Sequence, residues 1–197
     1  NYAADGFNPR GYHAVNLALH LGVAFLLLAV TRRTIAHWGR RTSRKLPSQA
    51  LALSASLLWL VHPLLTESVT YIHQRSELLA GFFLLLTMYC VIRGAAASSP
   101  RPWYLGAVGS CLLGMGSKEV MVSAPLVVLL YDRTVLADSW RQLWSRRKSL
   151  YLGLAATWIL LAWLVMMWLV PQRPLPDPGQ LTRSVIGFFT TIGLWDN

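Results

Sequence analysis

His62-Pro63-Leu64-Leu65-Thr66-Glu67-Ser68-Val69-Thr70-Tyr71-Ile72-His73-Gln74-Arg75-Ser76-Glu77 stands between two apolar runs, and its reading decides the fold. Pro63 lacks an N–H and its ring clashes with the preceding turn, so the helix before it ends here. A new helix is expected from Thr66 or Glu67. On it Glu67, Tyr71 and Arg75 recur every four residues and share one face, while His73 and Glu77 share another. In a soluble protein such a charge run is usually a wet connector. Here both flanks are apolar enough to enter a membrane.

The composition supports that setting. Of 197 residues, 54% are hydrophobic and only 13% charged, with nine tryptophans and a mean hydropathy of +0.43. These values place the chain in the polytopic membrane class, with the lipid bilayer as its first partner. The net charge of +10 does not indicate nucleic acid, because the basic residues come in short blocks between apolar runs, as in cytoplasmic loops. Cys90 and Cys111 each lie inside an apolar run and imply no disulfide framework or metal site. The chain starts at Asn1 rather than Met and is read as an excerpt or a processed piece, with no signal peptide visible.

Working outward, we expect an all-α polytopic membrane protein forming a single transmembrane domain. Six transmembrane helices are expected at about 12–30, 48–65, 67–92, 103–116, 120–131 and 150–170, with a partial seventh apolar segment at 185–195. The first carries His13, Asn16 and His20 on one stripe. His13 and His20 would stand about 10 Å apart along a helix, too far to share one metal, so contacts to a neighbouring helix or a ligand are expected of them. Arg32, Arg33, Arg40, Arg41, Arg44 and Lys45 then read as a basic loop without an acid. The second and third helices flank the opening stretch.

The region from Trp103 to Tyr131 is interrupted by Ser117-Lys118-Glu119. As a single helix it would place the next basic segment (Arg133, Arg141, Arg146, Arg147, Lys148) on the wrong side of the membrane. As a hairpin of two short helices it obeys the positive-inside rule, and a hairpin is expected. Its arms would be about 21 and 18 Å long, leaving the tip recessed below the membrane surface. Gly106, Ser110 and Gly114 form a small-residue stripe suited to close helix packing.

With this topology the basic residues gather in three cytoplasmic loops, and only Arg10, Arg75, Lys118, Arg173 and Arg183 fall outside. The acids divide the other way: Asp132 and Asp138 are cytoplasmic, while Asp5, Glu67, Glu77, Glu119, Asp177 and Asp196 are external. Ionisable groups at membrane depth are costly and are functional candidates by default. Arg75, whose planar fork matches phosphate oxygens, and Lys118, a point charge, would hold a lipid-borne phosphate. Glu67, Glu77 and Glu119 are the candidate catalytic carboxylates. His13, Asn16, His20, His62, Tyr71 and Gln74 would line the cavity. No cofactor is read, and no metal ligand set.

Three motifs carry a resemblance: Gly11-Tyr12-His13-x-x-Asn16-Leu17-x-Leu19-His20; His62-Pro63-x-x-Thr66-Glu67-Ser68-Val69-x-Tyr71-Ile72-x-Gln74-Arg75-Ser76-Glu77-Leu78; and Gly114-x-Gly116-Ser117-Lys118-Glu119. Over about residues 8 to 132 the chain resembles the membrane portion of the transmembrane-and-tetratricopeptide-repeat proteins, which are similar to protein O-mannosyltransferases. The resemblance implies a GT-C glycosyltransferase fold. It implies transfer of a sugar, mannose for example, from a polyprenyl-phosphate donor to a protein or other hydroxyl acceptor on the external or lumenal side. It also implies an acidic motif in an earlier external loop, upstream of this chain unless Asp5 takes part. No 34-residue period of a tetratricopeptide tail is present.

Two readings from other classes stand beside it: a lipid or anion transporter or flippase, and a non-catalytic membrane scaffold for a repeat domain. The Arg-rich, Lys-poor loops lean toward a bacterial inner membrane rather than the endoplasmic reticulum.

Overall fold

A computed structural model describes residues 9–63 and 75–169. The described residues are helical, without a strand: α1 (Pro9–Arg41), α2 (Ser48–Leu60), α3 (Arg75–Ala96), α4 (Arg101–Ser117), a 3-10 turn (Glu119–Ser123), α5 (Ala124–Tyr131), a π turn (Asp132–Leu136) and α6 (Trp140–Leu169). The chain divides into two compact units, Asn1–Trp158 and Ile159–Asn197. The first holds α1 to α5 and α6 as far as Trp158; in the second, the described residues continue α6. The expected helix start at Thr66 or Glu67, and the apolar segment 185–195, lie outside the described residues.

Side-chain contacts fix the direction of each helix. Arg32 Nη1 donates to Gln49 Oε1 at 3.3 Å, while His20 meets the Leu60 carbonyl, so α2 runs antiparallel to α1. Arg75 meets Asn16 and Arg33 meets Tyr89, so α3 runs parallel to α1. Lys118 reaches back to Glu77, and Thr34 Oγ1 and Tyr131 Oη are 2.5 Å apart. The segment after Lys118 therefore returns to the end from which α4 set out, and the hairpin is present. Trp158 Nε1 donates to the Val122 carbonyl near the tip, so α6 runs back toward it. The chain thus alternates between a basic end and a rim bearing Glu77 and Lys118.

Among the described residues three helices are long and apolar enough to cross a membrane: His13–Arg41, Arg75–Ala96 and Trp140–Met167. Ser48–Leu60 is apolar but shorter, ending five residues before the expected bound at 65. Outward faces are apolar: Phe25, Leu58, Leu105 and Leu113 are all exposed, as lipid-facing side chains are.

Two of the expected loops are helical. α1 runs on through Arg32, Arg33, Arg40 and Arg41, because nothing before Pro47 breaks it and Arg40 and Arg41 in its last turn complement the helix dipole. It ends in a Schellman motif. Arg44 N donates to Gly39 O at 2.9 Å and Ser43 N to Arg40 O at 3.4 Å, with Ser43 at φ 54° where glycine is usual. A Cβ at Gly39 would stand 2.9 Å from the Arg44 carbonyl oxygen, so the close return of the chain needs a glycine there. Likewise α6 begins at Trp140 rather than 150. Ser139 Oγ accepts from Gln142 N at 3.2 Å and Gln142 Oε1 accepts from Asp138 N at 3.0 Å, a relative of the capping box. The helix kinks at Arg147.

α4 spans 17 residues, about 26 Å, and is longer than expected. The return arm is a 3-10 turn followed by only eight residues of α-helix. α3 and α4 make the most extensive helix pair, and the small residues explain how. A Cβ at Gly106 would touch Cys90 Sγ at 3.3 Å, and one at Gly114 would meet Met121 and stand 3.0 Å from Phe83 Cβ.

Candidate functional site

The stripe on α1 becomes a set of helix contacts. Asn16 is buried at 1% exposure, and its Oδ1 accepts from Arg75 Nε at 3.2 Å. His20 is also buried, stacked on Trp59 with centroids 4.8 Å apart, and its Nε2 lies 3.1 Å from the Leu60 carbonyl. A carbonyl only accepts, so Nε2 carries the proton and satisfies one of the orphan acceptors at the end of α2. Nδ1 is then an acceptor, buried and with no hydrogen-bond partner among the described residues. His13 and His62 are exposed. Asn16 and His20 therefore join helices, whereas His13 and His62 face outward.

The backbone turns extended at Lys118 (φ −157°, ψ 138°), closing α4. Ser117 Oγ caps the preceding turn by donating to the Gly114 carbonyl at 2.7 Å. Lys118 Nζ donates to Glu77 Oε1 at 2.6 Å, with the two side chains 31% and 57% exposed. Glu119 opens the 3-10 turn and is exposed, an acid placed where the positive end of a helical turn favours it.

Arg75 and Glu77 are two positions apart on α3, about 200° around the helix. Arg75 accordingly turns toward α1 and Glu77 toward the hairpin tip. The two cations expected to grip one phosphate are thus anchored on opposite flanks of the first described turn of α3. Glu67, Tyr71 and Gln74 lie outside the described residues. Among the described residues no three His, Cys, Asp or Glu side chains converge as a metal site requires.

A second polar cluster was not expected. Asp132, read as a cytoplasmic loop charge, is fully buried. Arg147 Nη1 bonds one of its oxygens, and Tyr151 Oη donates to the other at 2.6 Å. A buried carboxylate is tolerated only when paired and hydrogen-bonded, and both oxygens are satisfied here. The available signal was a lone acid closing an apolar arm, with an arginine and a tyrosine spaced by four on the next helix.

No protein-family model matches the chain, and no solved structure does. Similar curated proteins exist. Protein O-mannosyl-transferase Tmtc3 of Drosophila melanogaster is 34% identical over 151 residues, covering 69% of this chain and 16% of that protein. Protein O-mannosyl-transferase TMTC4 of Mus musculus is 36% identical over 158 residues, 68% of this chain and 21% of its own length. TMTC2 of Homo sapiens is 28% identical over 167 residues, 79% of this chain and 18% of its own length. The chain belongs to the TMTC O-mannosyltransferase-like family.

This TMTC-family chain spans about a fifth or less of the length of these relatives. It is a membrane protein by its long apolar helices, but the expected lean toward a bacterial inner membrane finds no support. The relatives named above come from animals, and arginine over lysine in basic segments reflects side-chain chemistry as readily as source.

Proposed function

We propose that this chain is part of the membrane domain of a GT-C-type glycosyltransferase with about six transmembrane helices and a partial seventh. It transfers a sugar, mannose by the names of its relatives, from a polyprenyl-phosphate donor to a hydroxyl of a protein acceptor on the external or lumenal side. The observation that carries this reading is the gathering of Arg75, Glu77, Lys118 and Glu119 at one end of an apolar bundle, in a chain of this family. Ionisable groups kept beside membrane spans are functional by default.

In the proposed reaction an acceptor hydroxyl attacks the anomeric carbon, a C–O bond forms on the face opposite the phosphate, and the bond from that carbon to the phosphate oxygen breaks. The electron pair leaves with the polyprenyl phosphate, and the hydroxyl proton passes to a carboxylate. The leaving phosphate lies across the first described turn of α3, so that Lys118 and Arg75 approach it from opposite flanks and stabilise its growing charge. Glu77, already in contact with Lys118, orients that ammonium, leaving Glu67, Glu119 or an acid outside this chain as proton acceptor. The polyprenyl tail lies between helices.

The test is transfer of radiolabel from polyprenyl-phosphate mannose by the full-length protein in detergent, wild type against Arg75→Ala, Arg75→Lys and Lys118→Ala at matched expression and melting temperature. We expect losses of roughly a hundred-fold or more for each alanine variant, the scale of removing one charge-stabilising group. Arg75→Lys should recover part of the rate, since it keeps the charge without the fork. A wild type inert across a panel of donors, or alanine variants with normal rates, would overturn the reading.

A further inference from the structure

The end of the bundle away from the rim contains a cavity of about 530 Å³ lined by Arg33, His37, Arg40, Arg93, Arg146 and Arg147, with no acidic residue in its wall among the described residues. That size falls within the range of small-ligand sites, roughly 300–1,000 Å³. Like charges are brought together here by structure. Arg33, His37 and Arg40 follow at intervals of four and three, so they line one face of the extended α1. Arg93 comes from the last turn of α3, and Arg146 and Arg147 come from the kink in α6.

The guanidinium groups are held largely without carboxylates. Arg33 lies over the Tyr89 ring at 4.8 Å and Arg93 over the Trp103 ring at 4.7 Å. Stacking on a ring face positions a guanidinium while leaving in-plane N–H groups able to donate; Arg33 gives one to the Ala29 carbonyl at 3.3 Å and one to the Tyr89 hydroxyl at 3.5 Å and keeps the others. The side chains of Arg40 and Arg146 make no hydrogen bond or ion pair among the described residues. Among the described residues two acids stand at this end: Asp138 is paired outside the cavity with Arg41 at 2.8 Å, and Asp132 pairs with the lining residue Arg147. Of the lining cations, only Arg147 is neutralised among the described residues.

We propose that this cavity is a binding site for a phosphate-bearing anion. A concave wall of cations backed by apolar side chains focuses the field on whatever enters, and the guanidinium fork matches phosphate oxygens. Its depth suits a membrane boundary. α1 has 33 residues, about 50 Å, so its arginine-bearing turns extend past a hydrocarbon core of about 30 Å. An anionic phospholipid headgroup and a soluble phosphate compound present the same group there. The site is at the opposite end from Lys118 and Glu77 and does not depend on the transferase reading.

Two arms on the full-length protein separate the sources. In the first, protein from mixed micelles of equal phosphatidylglycerol and phosphatidylcholine is examined by native mass spectrometry for retained lipid. In the second, inorganic pyrophosphate is titrated by calorimetry in phosphatidylcholine nanodiscs. Wild type is compared with Arg40→Gln/Arg146→Gln, chosen because neither side chain holds the fold together. Arg93→Gln gives an independent lesion from α3, and Arg101→Gln/Arg141→Gln is a control of equal charge outside the cavity.

Preferential retention of phosphatidylglycerol that falls roughly thirty-fold in the cavity double variant, and stays within about two-fold in the control, supports a headgroup site. Saturable pyrophosphate binding lost in the same pattern supports a site open to soluble phosphates. Absence of both, cavity variants that bind as wild type, or a control that loses as much as the cavity variant would overturn the proposal.

Discussion

Two of the three ion pairs among the described residues differ in almost everything but their chemistry. At the basic end Asp132 and Arg147 pair with side chains 0% and 12% exposed, and Tyr151 completes the carboxylate. At the rim Glu77 and Lys118 pair with side chains 57% and 31% exposed and no third group on the carboxylate among the described residues. The first pair locks α6 to the end of the hairpin's return arm, because either charge alone would be buried and uncompensated. The second is screened by solvent and can trade its partner for a ligand. Burial, rather than the identity of the charges, separates a structural pair from one fit for a reaction site.

The largest effect should come from breaking the buried pair. Arg147→Met is expected to lose about 3–5 kcal/mol of stability, read as a lower melting temperature of the detergent-solubilised protein. Asp132→Leu/Arg147→Met, which removes both charges, should recover most of that loss. A single variant as stable as wild type would mean that Asp132 is not held as a buried ion.

A smaller effect tests what brings the rim pair together. Gly114→Ala places a methyl group against Met121 and Phe83 and should cost about 1–3 kcal/mol. Gly109→Ala, with nothing within 4 Å of the new methyl group, should be neutral or stabilising by up to about 1 kcal/mol. Equal melting temperatures for the two would show that α3 and α4 do not need the small residue. Lys118→Ala should change stability least, by less than about 1 kcal/mol, and that difference should shrink further in 1 M salt. Sugar transfer by the same variant should nevertheless collapse. A large stability loss in Lys118→Ala would erase the distinction between the two pairs.

The hairpin was legible because it follows from a balance of charge against hydropathy. Placing Arg133, Arg141, Arg146, Arg147 and Lys148 on the same side as Arg32 and Arg33 requires the chain to turn back at Lys118, and its contacts show that it does. The contact role of Asn16 and His20 was legible from their spacing. Their partners were not, since Arg75 and Leu60 lie 59 and 40 residues away. The basic segments were read as loops because charge density resembles solvent-facing sequence. Helix formation there needs only good helix formers and well-made ends, which α1 has at Gly39 and Ser43 and α6 has at Ser139.

The amino-acid sequence by itself determined the membrane class, the helical content, the direction of the chain through the hairpin and the family. These follow from composition, local periodicity and side-chain order, which are properties of neighbouring residues. Only the tertiary structure decided that Asp132 is a buried partner of Arg147, that Arg75 and Glu77 serve opposite flanks of α3, and that arginines from α1, α3 and α6 meet around one cavity. Each depends on which helices pack together, and packing joins residues whose separation along the chain carries no signal of their separation in space.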